Sequence, residues 1–257
     1  MDRRVLDGGI RALVPERLES GGFLVAFTER AGGVSDAPFN SLNLGLRCGD
    51  DPARAQENRR RLCGALDIPP FALVRQVHGA RVMRAGRRRI GAGFEDPSTA
   101  LGSADAIVTS SRRVPVAVLT ADCVPVVLAD PAAGRLAVVH AGWRGVAQGV
   151  LGSAIASFPN PAEVRAAVGP AIGLDHYEVG EDVAAAVSAA SPGGAAIRRL
   201  DSRVHLDLPA TVCRILSDLG VRSIEREETC TACEPERFFS YRRDGLTGRQ
   251  ALIAMRR

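Results

Sequence analysis

Apolar residues along this chain fall into short blocks, most of them four to seven residues long, separated by Gly, Pro and Asp. The densest blocks lie between Val116 and Gly145, in VAVLTADCVPVVLADPAAGRLAVVHAGWRG. VAVLT, VPVVLAD and RLAVVH are β-branched and Leu-rich, and DPAAG supplies turn residues, so the pattern reads strand, break, strand, turn, strand. Cys123 falls in the break and His140 at the end of the third strand. Closing the turn with Ala129 opposite Arg135 sets Val124 opposite His140, with Cys123 beside it. Facing residues have Cβ atoms roughly 5 Å apart, close enough for a thiolate and an imidazole to share an ion. A slip of one residue would carry one of them to the other face of the sheet.

The same reading predicts a strand at 23–28 (FLVAFT) after a polar start. A loop-rich passage follows, and then an amphipathic helix capped by Asp51 and Pro52, with Ala55, Arg59, Leu62 and Leu66 on one face. FALVRQVHGARVMRA predicts a bent strand or hairpin with His78 at the bend. Residues 87–103 show no apolar period and predict a surface loop. ADAIVTS predicts a strand, GVAQGVLGSAIASF one helix, and residues 165–227 a further series of short strands and helices. A long loop from Thr229 leads to a closing strand, ALIAMRR. Hairpin-adjacent strands with helices in separate blocks predict an α+β fold, a single domain of mixed β-sheets flanked by helices.

Composition narrows the function classes. A chain of 257 residues that is 46% hydrophobic and 24% charged is globular and long enough for a substantial core. No apolar run reaches bilayer length, and MDRRVLDGGI lacks the apolar core of a secretory signal, so the expectation is a cytoplasmic protein without membrane contact. A net charge of +4 does not argue for nucleic acid. All 33 positive residues are Arg, so any one Arg is weak evidence for anion binding. Six Cys at irregular spacing argue for thiols rather than a disulfide framework.

The four His are His78, His140, His176 and His205. A catalytic zinc takes about three His, Cys or carboxylate ligands and keeps one position open. His78, Cys123 and His140 each sit at a strand end or bend, where a sheet presents side chains to a cleft. Their spacing matches no compact metal motif and leaves two readings open: a metal triad, or a buried structural Cys with two hydrogen-bonded histidines. Cys230 and Cys233 form a lone CxxC, read as a structural or incidental pair, and His176 is a candidate pocket residue. No glycine fingerprint for a dinucleotide or P-loop site is present, nor a G-x-S-x-G elbow.

Six ordered motifs carry a family resemblance: FNSLNLGLRCGDDPARAQENRRRL, QVHG, TADCVPVVL, VHAGWRG, GPAIGLDHYEVG and FFSYRRDGLTGRQA. Over residues 23–255 the chain resembles the YfiH-like laccase-domain family, whose members are named purine nucleoside phosphorylases, peptidoglycan editing factors or, formerly, multicopper polyphenol oxidases. The resemblance implies a single α+β domain related to toxin-type cysteine hydrolases. It also implies a zinc ion on His78, Cys123 and His140, with activity on purine nucleosides. One departure is that Asp175 and His176 stand where the family often carries cysteines.

The implied chemistry is phosphorolysis of adenosine, inosine or methylthioadenosine, and deamination of adenosine. The partners are thus a nucleoside and phosphate. Phosphorolysis makes Arg47, Arg59, Arg144 and Arg242 candidate phosphate clamps, and Asn43 and Gln76 candidates for the sugar or base. Deamination needs a zinc-activated water and a Glu acid/base, for which Glu178 is the first candidate. Four histidines cannot supply both a blue-copper centre and a separate copper cluster, so copper at the triad would give polyphenol oxidation only as a side activity. The alternative is a peptidoglycan-precursor editing hydrolase with Cys123 as nucleophile and His140 or His78 as its base.

Overall fold

The two-residue alternation of side chains in each strand decides which layer that side chain joins. The computed structural model describes residues 1–200 and 202–257. Its strands in chain order are β1 (Asp2–Val5), β2 (Arg11–Val14), β3 (Phe23–Thr28), β4 (Val82–Arg84), β5 (Ala106–Thr109), β6 (Val116–Thr120), β7 (Val124–Asp130), β8 (Arg135–Ala141), β9 (Arg165–Val168), β10 (Glu178–Val179), β11 (Ile197–Leu200), β12 (Arg203–Leu206), β13 (Ser223–Arg226) and β14 (Gln250–Arg256). The helices are α1 (Glu16–Glu19), α2 (Pro52–Leu66), α3 (Trp143–Ala147), α4 (Val150–Ile155), α5 (Glu181–Ala189), α6 (Leu208–Asp218) and α7 (Tyr241–Asp244). None is long and apolar enough to cross a membrane.

The strands form a five-stranded sheet in the order β1-β2-β3-β14-β6, a six-stranded sheet in the order β13-β9-β7-β8-β5-β4 and a small β10-β12-β11 sheet. The first is antiparallel throughout, whereas the second mixes parallel β13/β9 and β4/β5 pairs with antiparallel pairs at its centre. The two large sheets pack face to face. Phe23, Val25, Phe27, Val116, Val118 and Leu252 from one meet Ile107, Val127, Leu136, Val138 and Ala167 from the other. On the outer face of the six-stranded sheet, Val126, Leu128 and Val139 pack against Val150, Leu151, Val212 and Leu216 of α4 and α6. On the outer face of the five-stranded sheet, Leu62 of α2 packs with Leu24, Ala117, Ile253 and Met255. The result is a four-layer α+β arrangement of mixed sheets, in which β7 and all of β8 beyond Arg135 are buried. Burial on both faces explains why these strands read as continuous apolar runs rather than alternating ones.

Helix α2 begins as expected. The Asp51 carboxylate accepts the Ala53 N–H at 2.9 Å with Pro52 in the first turn, and the helix ends at Asp67 in the left-handed region, φ 50°. Three expectations need correction. The polar start carries two strands, β1 and β2; β1 is a half-exposed edge whose residues alternate in burial, too short to stand out as an apolar run. The helix expected at 145–158 is broken into α3 and α4 by Gly149, φ 83°. Most consequentially, Pro125 rather than Val124 lies opposite His140. The Asp130 carboxylate accepts the Ala133 N–H at 2.9 Å, so the Asp closes the turn and pairs with Arg135.

The sheet-to-sheet contact is tight at Gly169, where an added Cβ would lie 2.2 Å from Cδ1 of the buried Phe27 ring. Gly169→Ala is expected to destabilise the fold by about 1–3 kcal/mol, as overpacking a closed core does. Urea unfolding measures this as a lower midpoint at constant slope, and an unchanged midpoint would contradict this packing.

Candidate metal centre

The register just described brings Cys123 and His140 to one face of the six-stranded sheet. His140 alternates with Val138 and Leu136 toward the inter-sheet core, and Cys123 shares the parity of Val127 on the neighbouring strand. Just before Cys123 the chain turns a corner at Asp122, φ 98°. His78 reaches the same point from the bend preceding β4, with φ 58°.

Ligand atoms of His78, Cys123 and His140 all lie within 4.8 Å of one another. His78 Nε2 is 3.8 Å from Cys123 Sγ, and the imidazole rings meet edge to face with centroids 4.8 Å apart. A tetrahedral ion with bonds of ~2.3 Å to sulfur and ~2.0 Å to nitrogen separates its S and N donors by about 3.6 Å. The donor set therefore fits a zinc-class ion both in chemistry and in spacing. Gly142 lines the same point: an added Cβ would sit 2.7 Å from His78 Cδ2 and 3.1 Å from Cys123 Sγ.

One buried carboxylate organises this arrangement. Asp105, immediately before β5, is fully buried and accepts the backbone N–H groups of Val77, His78 and Gly79 at 3.2, 2.9 and 2.7 Å. It also accepts Nδ1–H of His140 at 2.8 Å, while its carbonyl accepts the His140 N–H at 2.7 Å. The Nδ1–H bond makes Nε2 the ring nitrogen left for an ion, which would bind there in place of a proton. Burial alone would raise the Asp105 carboxyl, but the bonds from His140 and the backbone outweigh it and hold it below the ordinary range. Burial also disfavours the charged forms of Cys123 and His140. Each nevertheless stabilises the other, bringing the thiol down to about 6 and the imidazole up to about 9.

The trio lines a cavity of about 490 Å³, a size suited to a small organic ligand. Arg47, Arg75 and Arg249 bring positive charge to its walls, with Gln76 and Tyr241 beside them, and no carboxylate lines it among the described residues. Of the residues singled out as substrate contacts, Arg47, Arg59 and Gln76 line the cavity. Arg59 is buried, and its guanidinium donates to the carbonyls of Leu44, Gly93 and Phe94. Gln76 clamps the end of β6 through two 2.8 Å bonds to the Leu119 backbone.

Asn43, Arg144 and Arg242 stand outside the lining. The Asn43 side chain is buried against Gly45 and Asp50. Arg144 stacks on Trp143, and Arg242 donates to the carbonyls of His176 and Glu178. Glu178 faces Arg203 at 3.6 Å, away from the cavity. His176 is exposed beside Cys230 and Cys233 rather than in the cavity. Sequence reasoning passed over Asp105, Gly142, Arg75, Arg249 and Tyr241. The HAGW glycine was the one with a signal, because a Gly two residues after a candidate ligand leaves room for close approach.

A family model described as multi-copper polyphenol oxidoreductase laccase matches residues 24–257. The chain belongs to this family. Among relatives of the laccase-type chain, a purine nucleoside phosphorylase of Mycobacterium tuberculosis is 43% identical over 88% of this chain and 89% of its own length. The purine nucleoside phosphorylase YfiH of Escherichia coli is 37% identical over 94% of this chain and 97% of its own. Among solved structures, YlmD of Geobacillus stearothermophilus superimposes with a TM-score of 0.89 at 36% identity, covering 92% of each chain. A Bacillus licheniformis YfiH protein does so with a TM-score of 0.91 at 28% identity over 99% of each.

Asp105→Asn tests the organising carboxylate. The amide keeps the shape but turns one acceptor into a donor facing backbone N–H groups. Zinc affinity, measured by competition with a chelating dye, is expected to fall by roughly 10- to 100-fold. Unchanged affinity in a folded variant would contradict the role assigned to Asp105.

Proposed function

We propose that this laccase-family chain is a zinc-dependent purine nucleoside phosphorylase, taking nucleoside and phosphate to a free purine and ribose 1-phosphate. The observation that carries this reading is the convergence of His78, Cys123 and His140 in the wall of an Arg-lined cavity with no carboxylate among its described lining residues. Its relatives' names agree. In phosphorolysis a phosphate oxygen bonds to C1′ of the ribose as the bond from C1′ to the purine nitrogen breaks, and the electron pair leaves with the base. Anion binding beside an apolar slot is thus the first requirement.

Arg47 is exposed at the cavity wall and has no side-chain hydrogen bond or ion pair among the described residues, so its guanidinium is available to phosphate. Arg75 and Arg249 add charge nearby, while buried Arg59 orders the wall behind them. The apolar stretch of lining, Leu73, Val74 and Leu119, suits a purine face. Bound at His78, Cys123 and His140, zinc would supply Lewis-acid stabilisation of developing negative charge. Asp105 keeps the His140 ring oriented. Deamination of adenosine lacks its acid/base here, because Glu178 lies outside the cavity. Copper in the same donors would give the polyphenol chemistry of the family name as a side activity.

A second reading has its own support. Cys123, His140 and Asp105 also stand in the order of a Cys–His–Asp hydrolase, with a depressed thiol beside an oriented imidazole. That reading gives an editing hydrolase acting on a peptidoglycan precursor.

Adenosine or inosine with the zinc-loaded protein should yield free base only when phosphate is present, and Cys123→Ala should abolish turnover together with zinc binding at the cavity trio. Arg47→Ala is expected to raise KM for phosphate roughly tenfold or more, the loss of one charge-assisted hydrogen bond of about 1.5–3 kcal/mol. Phosphate-independent hydrolysis that survives chelation would replace the phosphorylase reading with the hydrolase one. No base release under any of these conditions would remove the phosphorylase reading.

A further inference from the structure

The lone CxxC finds its third partner in a loop far away along the chain. His176 Nδ1 lies 3.8 Å from Cys230 Sγ and 3.5 Å from Cys233 Sγ, and the three ligand atoms fall within 4.8 Å of one another. These separations bracket the about 3.6 Å that S and N donors keep on one tetrahedral zinc-class ion. The backbone around them is already arranged for a thiolate. Gly173 donates its N–H to Cys230 Sγ at 3.1 Å, and the Cys233 N–H closes the CxxC turn onto the Cys230 carbonyl at 3.2 Å. Ala171 and Cys230 pair as a parallel bridge, with the Thr231 N–H donating to the Ala171 carbonyl at 3.0 Å.

We propose that His176, Cys230 and Cys233 form a second metal site, separate from the cavity trio, that takes one zinc ion and staples the 173–177 loop to the 230–233 turn. Two thiolates and an imidazole form a soft set that selects zinc over magnesium or calcium. Three protein ligands leave the fourth position of the ion to water. None of the three lines the cavity, so the site is structural and its occupancy does not depend on the reaction carried out there.

The staple has something to hold. Thr231, next to Cys230, donates its hydroxyl to Asp122 Oδ1 at 2.6 Å, and the Arg242 N–H bonds the other oxygen at 2.7 Å. The Arg242 guanidinium donates to the Glu178 carbonyl at 2.8 Å and reaches the His176 carbonyl at 3.4 Å. The Asp122 carbonyl in turn accepts the Ile172 N–H at 2.9 Å. Both stapled segments thus bear on the residue that turns the corner before Cys123, and the ion braces that corner from outside.

Metal stoichiometry tests this without reference to turnover. Protein purified under reducing conditions, saturated with zinc and freed of excess by gel filtration, is expected to hold two zinc ions per chain by elemental analysis. Cys230→Ser/Cys233→Ser is expected to hold one, Cys123→Ala one, and the triple variant none. His176→Gln, a change at an exposed side chain, serves if the double serine variant fails to fold, and it too is expected to hold one. Cobalt loading gives an independent readout. Thiolate-to-cobalt absorption should persist in Cys123→Ala and carry the signature of the two-thiolate site. One zinc per wild-type chain, lost entirely in Cys123→Ala, would overturn the proposal. So would a Cys230–Cys233 disulfide that forms under these conditions and leaves stoichiometry unaffected by His176→Gln.

Discussion

The Asp105 carboxylate is the constraint on which the rest of the site depends. A fully buried carboxylate is costly unless its oxygens are satisfied, and here three backbone N–H groups and one imidazole satisfy them. Meeting that requirement fixes two things at once. The bend carrying His78 must wrap around the carboxylate, and the His140 ring must present Nε2, rather than Nδ1, to the cavity. One group thus orients two ligands that come from elements 62 residues apart in numbering, His78 and His140. Removing its charge would leave several buried donors short of an acceptor, which is why its effect reaches beyond the single hydrogen bond to His140.

The fold makes this arrangement stiff. Strands β5, β7 and β8 lie at the centre of the six-stranded sheet with layers on both faces, so His140 and the base of Asp105 sit where backbone movement is most restricted. Cys123 and His78, by contrast, come from connections with positive φ at Asp122 and His78 itself. Those connections are held from outside by side-chain and backbone bonds rather than by the ladder. Preorganisation of this kind, rigid elements below and pinned loops above, is what a metal site needs if its donors are to keep their spacing without the ion. Its cost is strain at two non-glycine residues, repaid by the surrounding hydrogen bonds.

Much of this was legible in the sequence. The β-branched runs of β6, β7 and β8 announced themselves, and rare His and Cys residues at strand ends marked the trio. The register was not legible, because the side chain of Asp130 bonds within the turn and adds itself to the ladder. Asp105 was invisible for a related reason: a carboxylate just before a strand reads as a turn residue until its buried donors are seen. The CxxC looked incomplete because its imidazole comes from a loop 54 and 57 residues away. Arg59 and Asn43 carry a structural role that their place beside the motifs did not show. Their side chains order the 43–45 and 93–94 loops, through bonds that only the folded chain reveals.

The central claim is that an ion sits between these three side chains with His140 bound through Nε2. Anomalous diffraction from crystals of zinc-loaded protein, collected on either side of the zinc absorption edge, tests this most directly. The account predicts a peak within roughly 2.0–2.3 Å of His78 Nε2, Cys123 Sγ and His140 Nε2, with the Asp105 bond to Nδ1 retained. Absence of a peak at that point in loaded crystals, or coordination of His140 through Nδ1 with Asp105 displaced, would contradict it.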